Sequence, residues 1–444
     1  MRLLVNHHDP AFDEGQRASI GTGGFAIQNN GFQPRLPQHI LGETELYRII
    51  GSKHLDHETL TPICPAATIS AALLACGSVS AFLLSLKSNG PWLSKETGLD
   101  ISAIANQALE RAGEAAASGP NAAETLAHLA DAEMKAVNAL ILERMGSPVP
   151  LIPKLAKYLV EAGGKRVRPL VTIAAANMIG YTGDAHLKLA AAVEFIHTAT
   201  LLHDDVVDES DLRRGRKAAN LVWGNAPSVL VGDFLFARAF MLMVDAGSMD
   251  ALHSLSRASS IIAEGEVRQL AVKGDIDATV GSYMEIIEAK TAALFASAAE
   301  VSAIVAGRPA EEIAALDTYG RELGLAFQLV DDALDYGGLA QSLGKNTGDD
   351  FREGKVTLPV VLALKKSGQA DKQFWARVMA EGEQTEADFE TALELLHRHD
   401  ALKATLAMAE DKARTAQQAL SVFPDNKWKT ALSDLAEFVV QRAS

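Results

Sequence analysis

Two short acidic segments, each at the end of an apolar run, limit what this chain of 444 residues can fold into more than any other feature. The first lies within Thr198–Asn220 and carries Asp204, Asp205 and Asp208. No helix breaker interrupts the apolar run before it, so the pattern predicts a helix. At about 100° per residue, Asp204 and Asp208 lie nearly above one another on one helix face.

Three carboxylates this close repel one another and resist ionising together unless a cation lies between them. Magnesium suits such a cluster, because it takes one or two carboxylates and completes its shell with substrate phosphates. Arg213, Arg214, Arg216 and Lys217 follow a few residues later. Since guanidinium groups match phosphate oxygens in shape and charge, this segment predicts a cradle for a magnesium-bound diphosphate.

A second segment, Gly324–Tyr336, repeats the spacing with Asp331, Asp332 and Asp335. One DDxxD pattern in an acidic, helix-rich chain is equally well explained by a solvated helix face. Two copies, each after an apolar run, place both acid clusters at the ends of buried helices, where charges are costly unless they have a function. The pair therefore favours two metal-binding motifs.

With these motifs the chain resembles the trans-type polyprenyl diphosphate synthases from about Ala122 to its C-terminus. The resemblance rests on motifs in a fixed order: GGKRVRP at Gly163–Pro169, EFIHTATLLHDDVVDESDLRRG, EAKTAALF at Glu288–Phe295, FQLVDDALDY, and LGKNTGDDFREGKVTLP at Leu343–Pro359. It points to the bacterial octaprenyl and decaprenyl diphosphate synthases. It implies an all-α fold, a single large helical bundle of the isoprenoid synthase type with a central cavity.

The resemblance also implies a catalytic and metal-binding set. The expected catalytic residues are the six aspartates and one lysine: Asp204, Asp205, Asp208, Lys290, Asp331, Asp332 and Asp335. Four of them are expected to bind Mg²⁺, with three ions in each active site: Asp204, Asp208, Asp331 and Asp335. The expected reaction is ionisation of an allylic diphosphate, attack by isopentenyl diphosphate, and loss of a proton.

The substrate-binding residues follow from the same resemblance. Those expected at isopentenyl diphosphate are Lys165, Arg168, His197 and Arg214. Those expected at the allylic diphosphate are Arg213, Lys290, Thr291, Gln328 and Lys345. Without the resemblance, GGKRVRP also fits an ordinary basic turn, His197 a core histidine, and Thr291 and Gln328 plain helix packing. Asp349, Asp350 and Lys355 lie in the expected closing segment.

Product length is expected to depend on the helix wall below Asp204. In short-chain family members, aromatic rings often stand four or five residues before the first aspartate. Here those positions are Thr200 and Ala199, and Ala199 lies about one and a half turns below the metal site. A small side chain leaves the passage open, which predicts a product of about C40–C50. The alternative is that Ala199 only fills the core and the floor lies elsewhere.

Composition excludes some partners and suggests a compartment. A net charge of −15 argues against nucleic acid and against docking on anionic lipid. The two cysteines, Cys64 and Cys76, do not indicate a disulfide framework, so a cytoplasmic location is expected. The family implies a homodimer, and a peripheral membrane contact would serve product release. A quinone side chain is the expected use of the product.

Residues 1–120 are predicted to form an irregular, poorly ordered N-terminal extension, and residues 121–444 one all-α domain. Its predicted helices include 186–208, 276–306 and 310–336. The extension contains an uncharged apolar stretch at residues 59–86. Its length permits a membrane span, but its alanines, serines, Pro62 and Pro65 favour a soluble or poorly ordered segment. A third hypothesis is a start codon assigned too far upstream.

Three other functions compete with long-chain synthesis. A terpene cyclase would not need GGKRVRP for a second diphosphate, nor a second DDxxD motif. A geranylgeranyl or farnesyl diphosphate synthase would differ in product length. A non-catalytic synthase subunit usually has eroded acid motifs, whereas both are complete here.

Overall fold

The computed structural model of the protein describes residues 121–161, 164–213, 216–337 and 348–442. These segments are almost entirely helical, which confirms the all-α prediction. The α-helices are α1 (Ala122–Leu129), α2 (Asp131–Arg144), α3 (Leu151–Glu161), α4 (Val167–Met178), α5 (Ala185–Val207), α6 (Ala219–Trp223), α7 (Asn225–Asp245), α8 (Met249–Ala271), α9 (Val280–Ile287), α10 (Ala293–Val305), α11 (Ala310–Tyr336), α12 (Asp349–Arg352), α13 (Leu358–Lys366), α14 (Gln369–Trp375), α15 (Asp388–Arg398), α16 (Ala401–Ala419) and α17 (Lys427–Gln441).

Three local details differ from the sequence-based expectation. A short hairpin, β1 (Leu212–Arg213) antiparallel to β2 (Arg216–Lys217), follows the first acid motif, where no strand was expected. A π-helical turn at Glu288–Ala292 divides the single helix predicted over 276–306 into α9 and α10. A second π-helical turn at Ala376–Ala380 follows α14, and neither π-helical turn was predicted.

Some of the predictions fall on residues that the structure does not describe. These are the extension 1–120 with its apolar stretch, and the predicted site residues Arg214 and Lys345.

Side-chain caps fix where several helices begin. Asn121 accepts a hydrogen bond from the Glu124 amide, and the Glu124 carboxylate accepts one from the Asn121 amide, which forms a capping box for α1. Ser248 caps α8, and Asn426 caps α17 through the amides of Trp428 and Lys429. These caps satisfy amides that would otherwise lack partners at each helix start.

The centre of the bundle is formed by α5 and α10, whose residues are buried on nearly all sides. α5 packs against α2, α4, α7 and α10, and α10 packs against α4, α8 and α11. Gly324 allows the close approach of α11 to the π-helical turn, since a Cβ there would lie 2.7 Å from the Ala292 Cα. The two aspartate-bearing helices, α5 and α11, are therefore both packed on the α9–α10 region.

A cavity of about 490 Å³ lies between α8, α10 and α11. Its lining includes seven ionisable residues, namely Asp250, His253, Arg257, Glu300, Arg308, Asp317 and Arg321. A hydrocarbon chain would leave these groups poorly solvated, so this cavity does not suit a prenyl tail.

Candidate active site

The C-terminal turn of α5 presents Asp204 to a partly buried cation. The Asp204 carboxylate lies 3.9 Å from the Lys290 Nζ, and both side chains are mostly shielded from solvent. Burial raises the pKa of Asp204 to about 6, with Lys290 opposing that rise and Glu266 and Asp208 adding to it. The motif thus holds negative charge in a place that favours a cation, as the spacing predicted.

Asp205 is buried and holds Arg213. Its side chain is 1% exposed, and its Oδ1 accepts hydrogen bonds from the Nε and Nη2 of Arg213, at 2.8 Å from Nε. Burial raises the pKa of Asp205, and the Arg213 guanidinium lowers it. Asn220, on α6 just after the hairpin, donates to the Asp205 carbonyl at 3.0 Å, which ties α6 to α5. Asp205 therefore positions Arg213 next to the motif.

The π-helical turn between α9 and α10 carries Lys290 and Thr291. Lys290 Nζ donates to Glu266 Oε2 at 2.7 Å and to Gln269 Oε1 at 2.9 Å, both on α8. Gly265 permits this contact, because a Cβ there would lie 2.8 Å from the Ala289 Cβ. Such π-type bulges inside helices often occur at functional sites. Here the bulge aims Lys290 at Asp204.

Asp332, the middle residue of the second motif, is buried in a hydrogen-bond network. Its two oxygens accept hydrogen bonds from the Tyr283 hydroxyl and, at 2.7 Å, from the Gln328 amide. Gln328 Oε1 in turn accepts from the Thr291 hydroxyl at 2.8 Å. Burial raises the pKa of Asp332 to about 7. The network holds Gln328 and Thr291 in place, whereas the direct catalytic role given to Asp332 stays a prediction.

Replacing Tyr283 with phenylalanine is expected to lower the free energy of unfolding by about 1–3 kcal/mol, because one buried oxygen of Asp332 loses its donor. Urea denaturation would measure the change. Tyr181→Phe serves as the control, since the Tyr181 ring packs against His186 rather than against a carboxylate. A Tyr283→Phe midpoint equal to that of the control would contradict the network.

Asp335 organises the segment that follows α11. Its Oδ2 accepts from the Asp350 amide at 3.0 Å and its Oδ1 from the Asp349 amide at 3.2 Å. Lys355 lies shortly after this turn, and its Nζ donates to Asp208 Oδ2 at 2.9 Å. Burial alone would lower the pKa of Lys355, but the carboxylates of Asp208 and Glu353 raise it. One short segment thus contacts both acid motifs.

These contacts bring the two motifs together. Two adjacent residues of the π-helical turn each contact one motif segment. Lys290 lies near Asp204 of the first, and Thr291 donates a hydrogen bond to Gln328 of the second. Within the described parts of the chain, no three acidic, histidine or cysteine side chains converge closely enough to hold a metal ion alone. The carboxylates can hold magnesium when diphosphate oxygens complete its coordination shell. Magnesium is usually bound in this way in proteins, by one or two carboxylates and the phosphates of a substrate.

The basic turn before α4 lies beside α5. Arg166, with a positive φ of 45°, pairs with Glu194 at 3.0 Å, and both side chains are largely buried. His197 is three residues further along α5 than Glu194, so the two share a helix face. The Arg168 guanidinium lies 4.3 Å above the Phe295 ring, and Lys165 Nζ lies 5.8 Å from the Phe438 ring. The turn therefore presents two cations near the predicted site.

Comparison with known proteins agrees with this geometry. Residues 149–396 match the model of the polyprenyl synthetase family. The chain belongs to the polyprenyl synthetase family. Octaprenyl diphosphate synthase of Escherichia coli strain K12 is 48% identical over 319 residues, which cover 72% of this chain and 98% of that protein.

Solved structures of the polyprenyl synthetase family have the same fold. A polyprenyl synthase of Caulobacter crescentus, complexed with calcium and isoprenyl diphosphate, is 57% identical, with a TM-score of 0.71 over 73% of this chain and 99% of that one. A decaprenyl diphosphate synthase of Rhodobacter capsulatus is 51% identical, with a TM-score of 0.70 over 72% of this chain and 99% of that one. The predicted family and fold are confirmed.

The chain-length positions predicted for this family member lie on α5 below the acid motif. Ala199 is 0% exposed, and Thr200 is half-buried, with its hydroxyl donating to the His197 carbonyl at 2.8 Å. Neither carries a ring that would block a passage along the helix. Their control of product length stays a prediction.

Sequence reasoning missed four residues that hold this site: Glu194, Glu266, Gln269 and Tyr283. Glu266 and Gln269 are three positions apart on α8 and so share a helix face. This spacing could have indicated a shared polar partner. Nothing near Tyr283 in the sequence indicated its partner, because Asp332 lies 49 positions away.

Proposed function

We infer that the protein is a trans-polyprenyl diphosphate synthase that adds isopentenyl diphosphate repeatedly to an allylic diphosphate to make a long all-trans chain. The observation that carries this inference is the pair of complete acid motifs held beside Lys290, Thr291 and Lys355. The relatives named as octaprenyl and decaprenyl diphosphate synthases support the long product.

Each cluster of charge has a role in this reaction. Arg213 and Lys290 supply positive charge where the allylic diphosphate departs, and Asp205, Glu266 and Gln269 hold them there. Lys165, Arg168 and His197 would hold isopentenyl diphosphate so that its double bond meets the allylic carbon. The allylic C–O bond breaks, a new C–C bond forms, and a proton leaves the condensed product.

Magnesium is the proposed metal, with Asp204, Asp208, Asp331 and Asp335 as its protein ligands and three ions in each site. When bound, it would neutralise charge on the departing diphosphate. The carboxylates of Asp208 and Glu266 near Asp204 concentrate negative charge that a cation would neutralise. The calcium ion bound with isoprenyl diphosphate in the Caulobacter crescentus relative supports a divalent cation.

Incubation with isopentenyl diphosphate, an allylic primer and Mg²⁺, followed by chromatographic sizing, tests the function. The expected product is a polyprenyl diphosphate of about eight to ten isoprene units. A product no longer than C20 would show a short-chain synthase. An inactive protein that gains activity only with a second subunit would show a non-catalytic partner.

A homodimer is proposed because α7 has two apolar faces. One face packs on α5, and the opposite face exposes Leu230, Phe240, Met241 and Val244, with Leu230 66% and Val244 63% exposed. Among the described residues, α7 is also the one helix long and apolar enough to cross a membrane. A second copy of the chain would cover this stripe, as large exposed apolar patches usually indicate.

Leu230→Glu is expected to convert a dimer into monomers, because a charge would be buried in the interface. Light scattering after size exclusion would give the mass. Val422→Glu is the control, since Val422 is 44% exposed and follows α16, which packs on α11, α13 and α17. A wild-type protein that is monomeric at micromolar concentration would contradict the dimer.

We also propose a cytoplasmic enzyme whose product passes to membranes through a peripheral contact and becomes a quinone side chain. The apolar character of a C40–C50 product supports such a contact. Fractionation of the source cells and quinone analysis after gene disruption would test these two proposals separately.

A further inference from the structure

Segment 348–355, which contacts both acid motifs, is also held by a residue just before α15. The side-chain amide of Gln384 donates to the Phe351 carbonyl at 2.8 Å and to the Val378 carbonyl at 2.9 Å. Phe351 belongs to α12, in the middle of the segment, and Val378 to the second π-helical turn. One side chain therefore joins the segment to that turn.

The loop that carries Gln384 is itself fixed by an ion pair. Asp388, at the start of α15 and 7% exposed, accepts two hydrogen bonds from the Arg377 guanidinium, the shorter at 2.6 Å. Asp388 Oδ2 also accepts from the amide and the hydroxyl of Thr385, at 2.7 and 2.9 Å. Since Thr385 follows Gln384 directly, these charge-assisted hydrogen bonds limit where the Gln384 side chain can lie.

Phe389, the residue after Asp388, adds an apolar contact to the same segment. Its ring centre lies 5.6 Å from that of Phe351. It also packs on Gly348, where a Cβ would lie 2.5 Å from the ring. Gly348 has a φ of 81°, which glycine adopts without strain. The start of α15 therefore contacts α12 at its first turn and at the residue before it.

The segment connects these contacts to the acid motifs. Asp335 accepts hydrogen bonds from two backbone amides of α12, and Lys355 donates to Asp208 at 2.9 Å. Asp208 and Asp335 are two of the proposed magnesium ligands. A shift of segment 348–355 would therefore displace a hydrogen-bond partner of one ligand in each motif.

We propose that Gln384 is a positioning residue for the part of the site that binds magnesium and the allylic diphosphate. Its two hydrogen bonds keep segment 348–355 ordered, so that substrate binding does not have to order the segment first. Gln384 acts through α12 and does not itself bind substrate. This inference rests on the proposed function.

Gln384→Met tests this role, because methionine keeps the length of the side chain but donates no hydrogen bond. The KM for the allylic primer and the Mg²⁺ concentration for half-maximal rate are expected to rise by roughly 3- to 10-fold, while the KM for isopentenyl diphosphate stays within about twofold. Gln384→Glu, which places acceptors against two carbonyl oxygens, should raise the primer KM at least as much.

Hydrogen exchange gives a second readout that needs no turnover. In EDTA, the amides of Asp349 and Asp350, which donate to Asp335, are expected to exchange roughly 3- to 10-fold faster in Gln384→Met than in the wild type. Gln417→Met is the matched control, because Gln417 is also a partly buried glutamine that donates to a carbonyl, here at 3.0 Å between α16 and α17. This control should change neither the exchange of these amides nor the primer KM.

A double variant shows whether Gln384 acts through segment 348–355. Gln384→Met should raise the primer KM less in a Lys355→Met background than in the wild type, because the contact of Lys355 with Asp208 is already lost there. Fully additive effects of the two substitutions would overturn a route through this segment.

The outcomes separate this inference from the proposed function. An unchanged primer KM in an active Gln384→Met enzyme would overturn the role of Gln384, whatever the amide exchange shows. An equal rise in both KM values, together with a lower melting temperature, would show a general structural role and also overturn it. A wild-type protein that makes no polyprenyl diphosphate would contradict the proposed function itself, whereas the amide exchange would still test the contact between Gln384 and segment 348–355.

Discussion

Replacing Asp204 with alanine is expected to lower the condensation rate at least about 1000-fold while leaving the helical content intact. Asp204 is the carboxylate that faces Lys290 across 3.9 Å, at the point where the magnesium-bound diphosphate is proposed to sit. Loss of this ligand should weaken the charge stabilisation of the departing diphosphate. Initial rates with saturating substrates and circular dichroism would measure the two effects.

The same variant should be no less stable than the wild type in EDTA. Burial raises the pKa of Asp204 to about 6, so above pH 6 the folded protein carries a carboxylate that is less well stabilised than in the unfolded chain. Removing this carboxylate above pH 6 takes away an unfavourable contribution to the stability of the folded protein. Asp411→Ala, on the exposed face of α16, is the control. Near-normal turnover by Asp204→Ala would contradict the metal-binding role.

Replacing Ala199 with tyrosine is expected to shift the products from about C40–C50 to markedly shorter chains. Ala199 lies on α5 about one and a half turns below Asp204, and its methyl group is 0% exposed. A phenol ring there would fill the passage along which the tail is proposed to grow. Reverse-phase chromatography of the dephosphorylated products would show the distribution.

Thermal unfolding distinguishes a passage from ordinary core packing at Ala199. If the methyl group only fills the core, a tyrosine overpacks it and lowers stability by about 1–3 kcal/mol or more. If it lines a passage, the ring enters open space and the melting temperature changes little. Ala199→Ser, which adds one small atom, is the control. A folded Ala199→Tyr variant with the wild-type product distribution would disprove this chain-length assignment.

The acid motifs could be read from the sequence because their chemistry is local. Asp204 and Asp208 share a helix face through four-residue spacing alone, and α5 and α11 were predicted almost to the residue. The partners that position these groups are distant in sequence. Lys355 reaches Asp208 over 147 positions, and Asp335 orders the segment before Lys355 by accepting hydrogen bonds from the amides of Asp349 and Asp350.

The π-helical turn shows why the finer geometry was not predictable. Its residues, Glu288–Ala292, have ordinary helix propensities, so the sequence predicted one continuous helix. Gly265 and Gly324 let neighbouring helices press against this turn from two sides. The bulge is therefore a property of three packed helices, and the aim of Lys290 depends on it.

A crystal structure with Mg²⁺ and an unreactive allylic diphosphate analogue would test whether the two acid motifs share one set of metal ions. We expect one diphosphate whose metal ions lie about 2.0–2.1 Å from oxygens of both motifs, with Asp204 and Asp208 on one side and Asp331 and Asp335 on the other. A diphosphate bound away from these four aspartates, or metal ions on one motif only, would contradict it.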